Sequence, residues 1–240
     1  MENQRPYRVN EGKREFVAYG GVHYACYAIK TSVVTEKDAL ADIVAQYAQP
    51  ALERDDVLFI SEKMVACTQG RAIPIQQIVP GVWARLLSRF VTRSPYGIGL
   101  SMPETMQCAI DECGLLRILL AAFAGMIGRL FGQKGWFYQV AGPDAASVDG
   151  PCPNTLPPYN QYAVLGPRHP NGVARAVSRQ VGGNLVLIVD ANDLGCNVLG
   201  ASRKGIDQER YRTLLAQNPL GQSAECTPMG LSLIHISYRS

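Results

Sequence analysis

Two acidic corners hold the residues best placed to do chemistry. The run LVLIV at 185–189 is apolar and mostly branched, reads as a strand buried on both faces, and stops at Asp190, with Ala191, Asn192, Asp193 and Gly195 behind it. A carboxylate at such a point is fixed by the sheet yet faces a loop, the position from which a protein presents a metal ligand or a catalytic acid. The plainer reading gives Asp190 and Asn192 to an Asx turn and leaves Asp193 in solvent. A second corner, Gly142-Pro143-Asp144, also follows an apolar and aromatic run, WFYQVA at 136–141. Three further segments join these: Ile29-Lys30-Thr31, the break from Ser61-Glu62-Lys63 to Gly70-Arg71, and Gly221-Gln222 to Glu225.

Other candidates read as structural. His23 stands in an aromatic run beside Gly20-Gly21, where a packed imidazole is the commoner outcome. Cys108 and Cys113 flank Asp111-Glu112 without histidine partners and read as core thiols. The chain has no GxxxxGK[ST], GxGxxG or GxSxG, so the signals of P-loop, dinucleotide-fold and serine-hydrolase chemistry are missing.

The elements that must position these residues follow from periodicity and punctuation. Aromatic and apolar residues from Phe16 to Ile29, bent at Gly20-Gly21, predict one or two strands. Thr35 is the expected cap of an amphipathic helix carrying Leu40, Ile43, Val44 and Tyr47. A short strand at 57–60 breaks into Ser61-Glu62-Lys63. Helical patterns fill 82–91 and 103–131. The segment 149–170, rich in Pro, Asn, Gly and Tyr, is expected to be a long ordered loop. A brief helix at 173–181, the strand at 185–189 and a helix at 207–217 capped by Asp207 complete the pattern. Short strands mixed with interrupted helices, without regular βαβ alternation, predict an α+β fold with mixed sheets.

Composition bounds the function. The 240 residues, 47% hydrophobic with a dispersed net charge of +3, suit a globular chain without the basic track a nucleic-acid partner needs. Seven cysteines without a CxxC, beside three histidines, read as free thiols in a reducing compartment. The polar amino terminus has no signal core, so a cytoplasmic location is expected. The most apolar stretch, 115–131, is interrupted by Arg117 and Arg129 and reads as a buried or interface helix, with no membrane partner. The tail LSLIHIS at 231–237 is what a common sequencing adapter encodes, so 231–240 is expected to be non-native.

Taken in order, the chemistry-bearing segments resemble the coenzyme F420-0 gamma-glutamyl ligase family, over about Phe16 to Gly230. The family's nucleotide-lining segment is similar to Cys26, Tyr27, Ala28 and Ile29. Its QKxVSKxEGR turn resembles the stretch from Glu62 to Arg71, matching at Lys63, Gly70 and Arg71 but with Cys67 and Gln69 where the family has lysine and an acid. Its AGxDxSN corner resembles 141–147, keeping Asp144 and placing Ser147 where asparagine touches nucleotide. Its DTN turn resembles Asp190-Ala191-Asn192, without the arginines that follow. Its GEG loop resembles Gly221-Gln222-Ser223, with Gln222 in place of a metal-binding glutamate and Glu225 nearby.

The resemblance implies Cys26, Tyr27, Ala28, Ile29, Glu62, Lys63 and Ser147 at nucleotide, and Asp144, Asp190, Gln222 and Glu225 at Mg2+ or Mn2+. It implies an interwoven homodimer that spends GTP to join L-glutamate to a phosphorylated acid such as coenzyme F420-0, through an acyl phosphate. Residues 15–230 would form this domain, behind a flexible lead at 1–14. The departures support a second expectation, a non-catalytic or repurposed nucleotide-binding member of the same fold.

Overall fold

A computed structural model describes residues 8–91, 98–133, 135–153, 155–221 and 225–235. In chain order the elements are β1 (Phe16–Tyr19), β2 (Val22–Ile29), α1 (Leu40–Ile43), β3 (Val57–Ser61), α2 (Glu62–Thr68) and β4 (Ala72–Pro74). There follow α3 (Val82–Ser88), α4 (Pro103–Cys113), α5 (Leu115–Leu130), α6 (Trp136–Ala141), α7 (Pro143–Ala146) and β5 (Tyr162–Val164). Last come α8 (Pro170–Gln180), β6 (Leu185–Asn192), β7 (Gly195–Ala201), α9 (Gln208–Leu215) and β8 (Met229–His235). The fold is α+β with a mixed sheet, as expected. The chain divides into two compact units, one made of Met1–Gln69 with Pro167–Ser240, the other of Gly70–Gly166.

The first unit is built on a six-stranded sheet of order β1-β2-β8-β3-β6-β7. Gly20 and Gly21, both at positive φ, make the two-residue turn of the β1–β2 hairpin. Side chains alternate across the strands. Leu58, Ile60, Val186, Ile188, Met229 and Leu231 face one core with Ile43, Met64 and Val177. Phe59, Leu187 and Val189 face another with Tyr211, Leu214 and Leu215 of α9. Every strand pair is antiparallel except β3 with β6, which are parallel. The adapter-like residues from Leu231 onward form most of β8, with Leu231 fully buried between β2 and β3.

Three local expectations give way to the structure. The helix expected from Thr35 begins only at Leu40, because the Asp38 carboxylate accepts from both the backbone N–H and the hydroxyl of Thr35 and closes a separate turn. The expected break at Ser61 is a direct strand-to-helix junction, with Ser61 Oγ accepting from Lys63 N–H at 3.3 Å as the cap of α2. The strand expected to stop at Asp190 runs on to Asn192, since Asp190, Ala191 and Asn192 pair with Asn197, Cys196 and Gly195 of β7. Asn192 does make the Asx turn, its Oδ1 accepting from Leu194 N–H at 2.9 Å. The cap of α9 is as expected, with Asp207 Oδ1 accepting from Arg210 N–H at 3.0 Å.

Residues 8–14 are tied to this unit at several points. Arg8 bridges Ala28, Asn10 donates to Pro219 O and Thr227 Oγ1, and Lys13 pairs with Asp193 at 2.8 Å. Asp193 is therefore an ion-pair partner as well as a solvated turn residue.

The second unit packs α3 to α7 with the β4–β5 ribbon around Leu100, Met106, Ile118, Ala121 and Val148. Its central polar clamp is Arg71, which donates Nη2–H to Glu112 Oε2 at 2.7 Å, Nη1–H to Glu112 Oε1 at 3.3 Å and Nε–H to Gly166 O. The two side chains are only 9% and 18% exposed. Among the described residues no single helix is long and apolar enough to cross a membrane.

Two measurements check these anchors. Removing one partner of a buried pair strands the other's charge, so Arg71→Ala should cost about 3 kcal/mol in urea unfolding, while Arg71→Met with Glu112→Leu recovers most of it. The hydrogen bond from Lys13 holds the Asp193 carboxyl below the usual carboxylate range. Its contribution is thus present at neutral pH and lost as pH falls through that lowered value. Asp193 is 60% exposed. Asp193→Asn should accordingly change stability at pH 7 by less than about 1 kcal/mol, and make the acid limb of a pH–stability curve shallower.

Candidate functional site

Within the first unit, one end of the sheet gathers segments that the sequence holds far apart. Ile29, at the carboxyl end of β2, pairs with Met229 at the start of β8, and Met229 pairs with Ile60 of β3. Ser61 pairs with Val189, the residue before Asp190. Backbone bonds extend the same edge: Thr31 N–H donates to Cys226 O at 2.9 Å and Ser61 N–H to Pro228 O at 2.8 Å. The Lys30, Ser61-Glu62-Lys63, Asp190 and 226–228 segments therefore lie side by side. Ligands of α/β sheets favour the carboxyl ends of parallel strands, and β3 and β6 end here.

Each side chain at this edge has a distinct setting. Lys30 and Lys63 are exposed, Asp190 is half-buried, and Glu62 is buried in the first turn of α2. Strand alternation puts Asp190 on the face of Val186 and Ile188, the face that α2 and α8 cover. Burial, reinforced by the Asp190 charge, pushes the Cys196 thiol up to about 12. Cys26 is spent on the core. Its Sγ lies 3.8 Å from Leu214 O and Ser232 Oγ, and burial pushes its thiol up to about 11. Tyr27 donates its hydroxyl proton to Glu15 at 2.6 Å, while Ala28 and Ile29 are buried, with Ala28 N–H bonded to Arg8 O. Lys30 is the first exposed side chain past this segment.

The loop that follows α9 packs closely. Gly221 has φ +78°, and a Cβ there would fall 2.7 Å from the Glu225 carboxyl carbon, so glycine lets Glu225 fold over the loop. Asn218 is fully buried, donates to Gly221 O at 2.9 Å, and reaches Asp193 Oδ1 at 3.5 Å. Its own Oδ1 is buried without a hydrogen-bond partner among the described residues. In sequence, Asn218 with Pro219 behind it signals only a turn. Gln222 lies outside the described residues.

In the second unit, Asp144 is exposed in the first turn of α7. Gly142, at φ +92°, leaves room for the Arg117 guanidinium, which a Cβ would strike, and Arg117 Nε–H donates to Val140 O at 2.9 Å. Burial, then the Asp144 charge, raises the Cys113 thiol. Ser147 Oγ–H donates to Pro143 O at 2.9 Å. Arg71, matched to the family's turn by sequence, is committed to Glu112 and Gly166. The clamp joins residues 41 apart, which no local pattern announces. Within either unit, among the described residues, no three His, Cys, Asp or Glu side chains gather as a metal site.

No curated protein matches this chain. The sequence profile of one family, F420-0:Gamma-glutamyl ligase, matches residues 28–193. That span takes in Lys30, Ser61-Glu62-Lys63, the Asp144 corner and Asp190, and it is more than half of the chain. The chain therefore belongs to the F420-0:gamma-glutamyl ligase family.

Proposed function

We propose that this protein is a cytoplasmic, GTP-dependent ligase that forms an amide between L-glutamate and a phosphorylated acid of the coenzyme F420-0 type. The observation that carries the reading is the single sheet edge bearing Lys30, Ser61-Glu62-Lys63 and Asp190, in a chain of this family. In the reaction, an acceptor carboxylate oxygen takes the γ-phosphoryl group of GTP, and GDP leaves. The glutamate amine then attacks the acyl carbon, phosphate departs with the bonding pair, and the amine proton passes to solvent or base. Lys63 and Lys30 would offset phosphate charge.

The donor set suits Mg2+ or Mn2+. Such ions take hard oxygen ligands, and Mg2+ sites commonly use one or two carboxylates, with phosphate oxygens and water completing the shell. By the family resemblance Asp144, Asp190, Gln222 and Glu225 are the candidates for such ligands, and the ion would neutralise phosphate charge during transfer. The family resemblance assigns the nucleotide to Glu62, Lys63 and Ser147 and to the segment Cys26, Tyr27, Ala28 and Ile29, whose contribution would come from its backbone.

A specific observation supports the second reading, a nucleotide-binding member without turnover. Cys67 takes the place of the family's lysine and is buried in α2. Calorimetry with Mg-GTP and a phosphate-release assay with L-glutamate and candidate acids separate the two. The ligase binds Mg-GTP, loses at least about tenfold in affinity in Asp190→Ala, worth about 1.4 kcal/mol, and releases phosphate only with acceptor. Binding without turnover leaves the module. Absence of metal-dependent nucleotide binding in the wild type removes both.

A homodimer is part of this proposal. The second unit exposes Leu116, Leu120, Phe123 and Leu130 along α5, with Val82, Leu86 and Phe90 on and after α3. Exposed apolar surface on this scale marks an interaction face. Sedimentation velocity should find a dimer that Phe123→Glu with Leu130→Glu converts to monomer. A monomeric wild type at micromolar concentration would exclude it.

A further inference from the structure

The end of the first unit's sheet opposite Asp190 carries a polar recess. It lies at the amino ends of β3 and β6, beside Val57 and Leu185, and is a half-open recess of about 500 Å3. That volume suits a small metabolite. Three arginines line it, from three separate parts of the chain: Arg54 before β3, Arg203 after β7 and Arg210 on α9. Nothing in the proposed ligase reaction uses them.

The arginines are individually positioned. The Arg210 guanidinium lies 4.7 Å from the centre of the Tyr211 ring and 5.9 Å from that of Tyr24, and Nη2–H donates to Tyr211 Oη at 2.6 Å. Stacking on tyrosine fixes the plane of a planar, forked donor. Its Nε–H is buried with no hydrogen-bond acceptor among the described residues. Arg203 is held by its bond to Gly183 O, and Arg54 is exposed at the rim.

The lining also includes Asp55 and Asp56. Asp56 is buried and turned toward the backbone, its Oδ2 accepting from Glu53 N–H at 2.7 Å, while Asn184 ties Glu53 O and Asp56 O together. Asp55 remains at the rim as the counter-charge. Three arginines and two aspartates thus line one recess, an excess of positive charge that a bound anion would offset. Arginine also matches the planar, two-oxygen edge of carboxylate and phosphate.

We propose that this recess is a second ligand site, separate from the Asp190 edge, for a small anion bearing phosphate or carboxylate groups. Sodium pyrophosphate and sodium L-glutamate are the two probes, titrated into the full chain by calorimetry at ionic strength matched with NaCl. The expected result is saturable binding of one of them, weakened at least tenfold in Arg54→Gln with Arg203→Gln and partly restored in Arg54→Lys with Arg203→Lys. Lys63→Ala, at the other end of the sheet, should change it less than twofold. Both substituted arginines are exposed, so circular dichroism should show an unchanged fold; Arg210→Gln gives an independent check from α9. Failure of both probes to bind, retention of affinity in the double glutamine variant, or equal loss in Lys63→Ala would each overturn the assignment. These outcomes are independent of Mg-GTP binding at the Asp190 edge, so either site can fail alone.

Discussion

One parallel strand pair organises the first unit. In a sheet whose other pairs all run antiparallel, β3 and β6 run together, so their carboxyl ends emerge at the same edge. Had they been antiparallel, the start of α2 and Asp190 would lie at opposite ends of the sheet. The pair is held by residues that cannot face water. Leu58, Phe59, Ile60, Val186, Leu187, Ile188 and Val189 are all buried, and each contributes about 1.5–3 kcal/mol by leaving solvent. A polar change within these strands would therefore disturb the edge as well as the core.

The same geometry explains why polar residues collect at the two ends of the sheet. Between Val57 and Ile60, and between Val186 and Val189, both faces are covered, one by α2 and α8, the other by α9. A charge in that stretch would be desolvated without a partner. Beyond it the chain meets solvent, and Lys63 and Asp190 appear at one end, Arg54 and Asp55 at the other. A sheet buried on both faces leaves only its rims for chemistry, and this one is polar on both.

What the sequence made legible was what short-range physics decides. Gly20-Gly21 makes a hairpin because adjacent residues at positive φ suit a tight turn, and Asp207 caps α9 because its carboxylate reaches Arg210 N–H three residues on. The α+β class and the apolar strands at 57–60 and 185–189 were visible in the same way. Long-range pairing was not. Nothing near Asp190 says that Gly195, Cys196 and Asn197 will extend its strand, and nothing near Arg71 points to Glu112. The insertion of β8 between β2 and β3 is equally hidden, since its nearest neighbour in sequence order is α9. Order and context carried the candidate site further than local motifs did. Ile29, Ser61, Asp190 and Cys226 become neighbours only once the sheet exists.

The departure at Cys67 follows from where α2 begins. Because Ser61 caps the helix directly, Met64, Val65, Ala66 and Cys67 turn into the protein and are buried, while Lys63 alone among residues 62–67 stands exposed. A lysine at Cys67 would have to bring its ammonium back through that packing to reach phosphate, at a cost in desolvation that a thiol avoids. On this chain the positive charge that α2 can offer to a phosphate is thereby limited to its first turn. Lys30, brought to the same edge by the β2–β8 pairing, is a cation the family's turn motif does not include, and it is supplied by the sheet instead of the helix. The two lysines of this edge, Lys30 and Lys63, stand 33 residues apart in sequence and are brought to it by different elements, one by a strand and one by a helix.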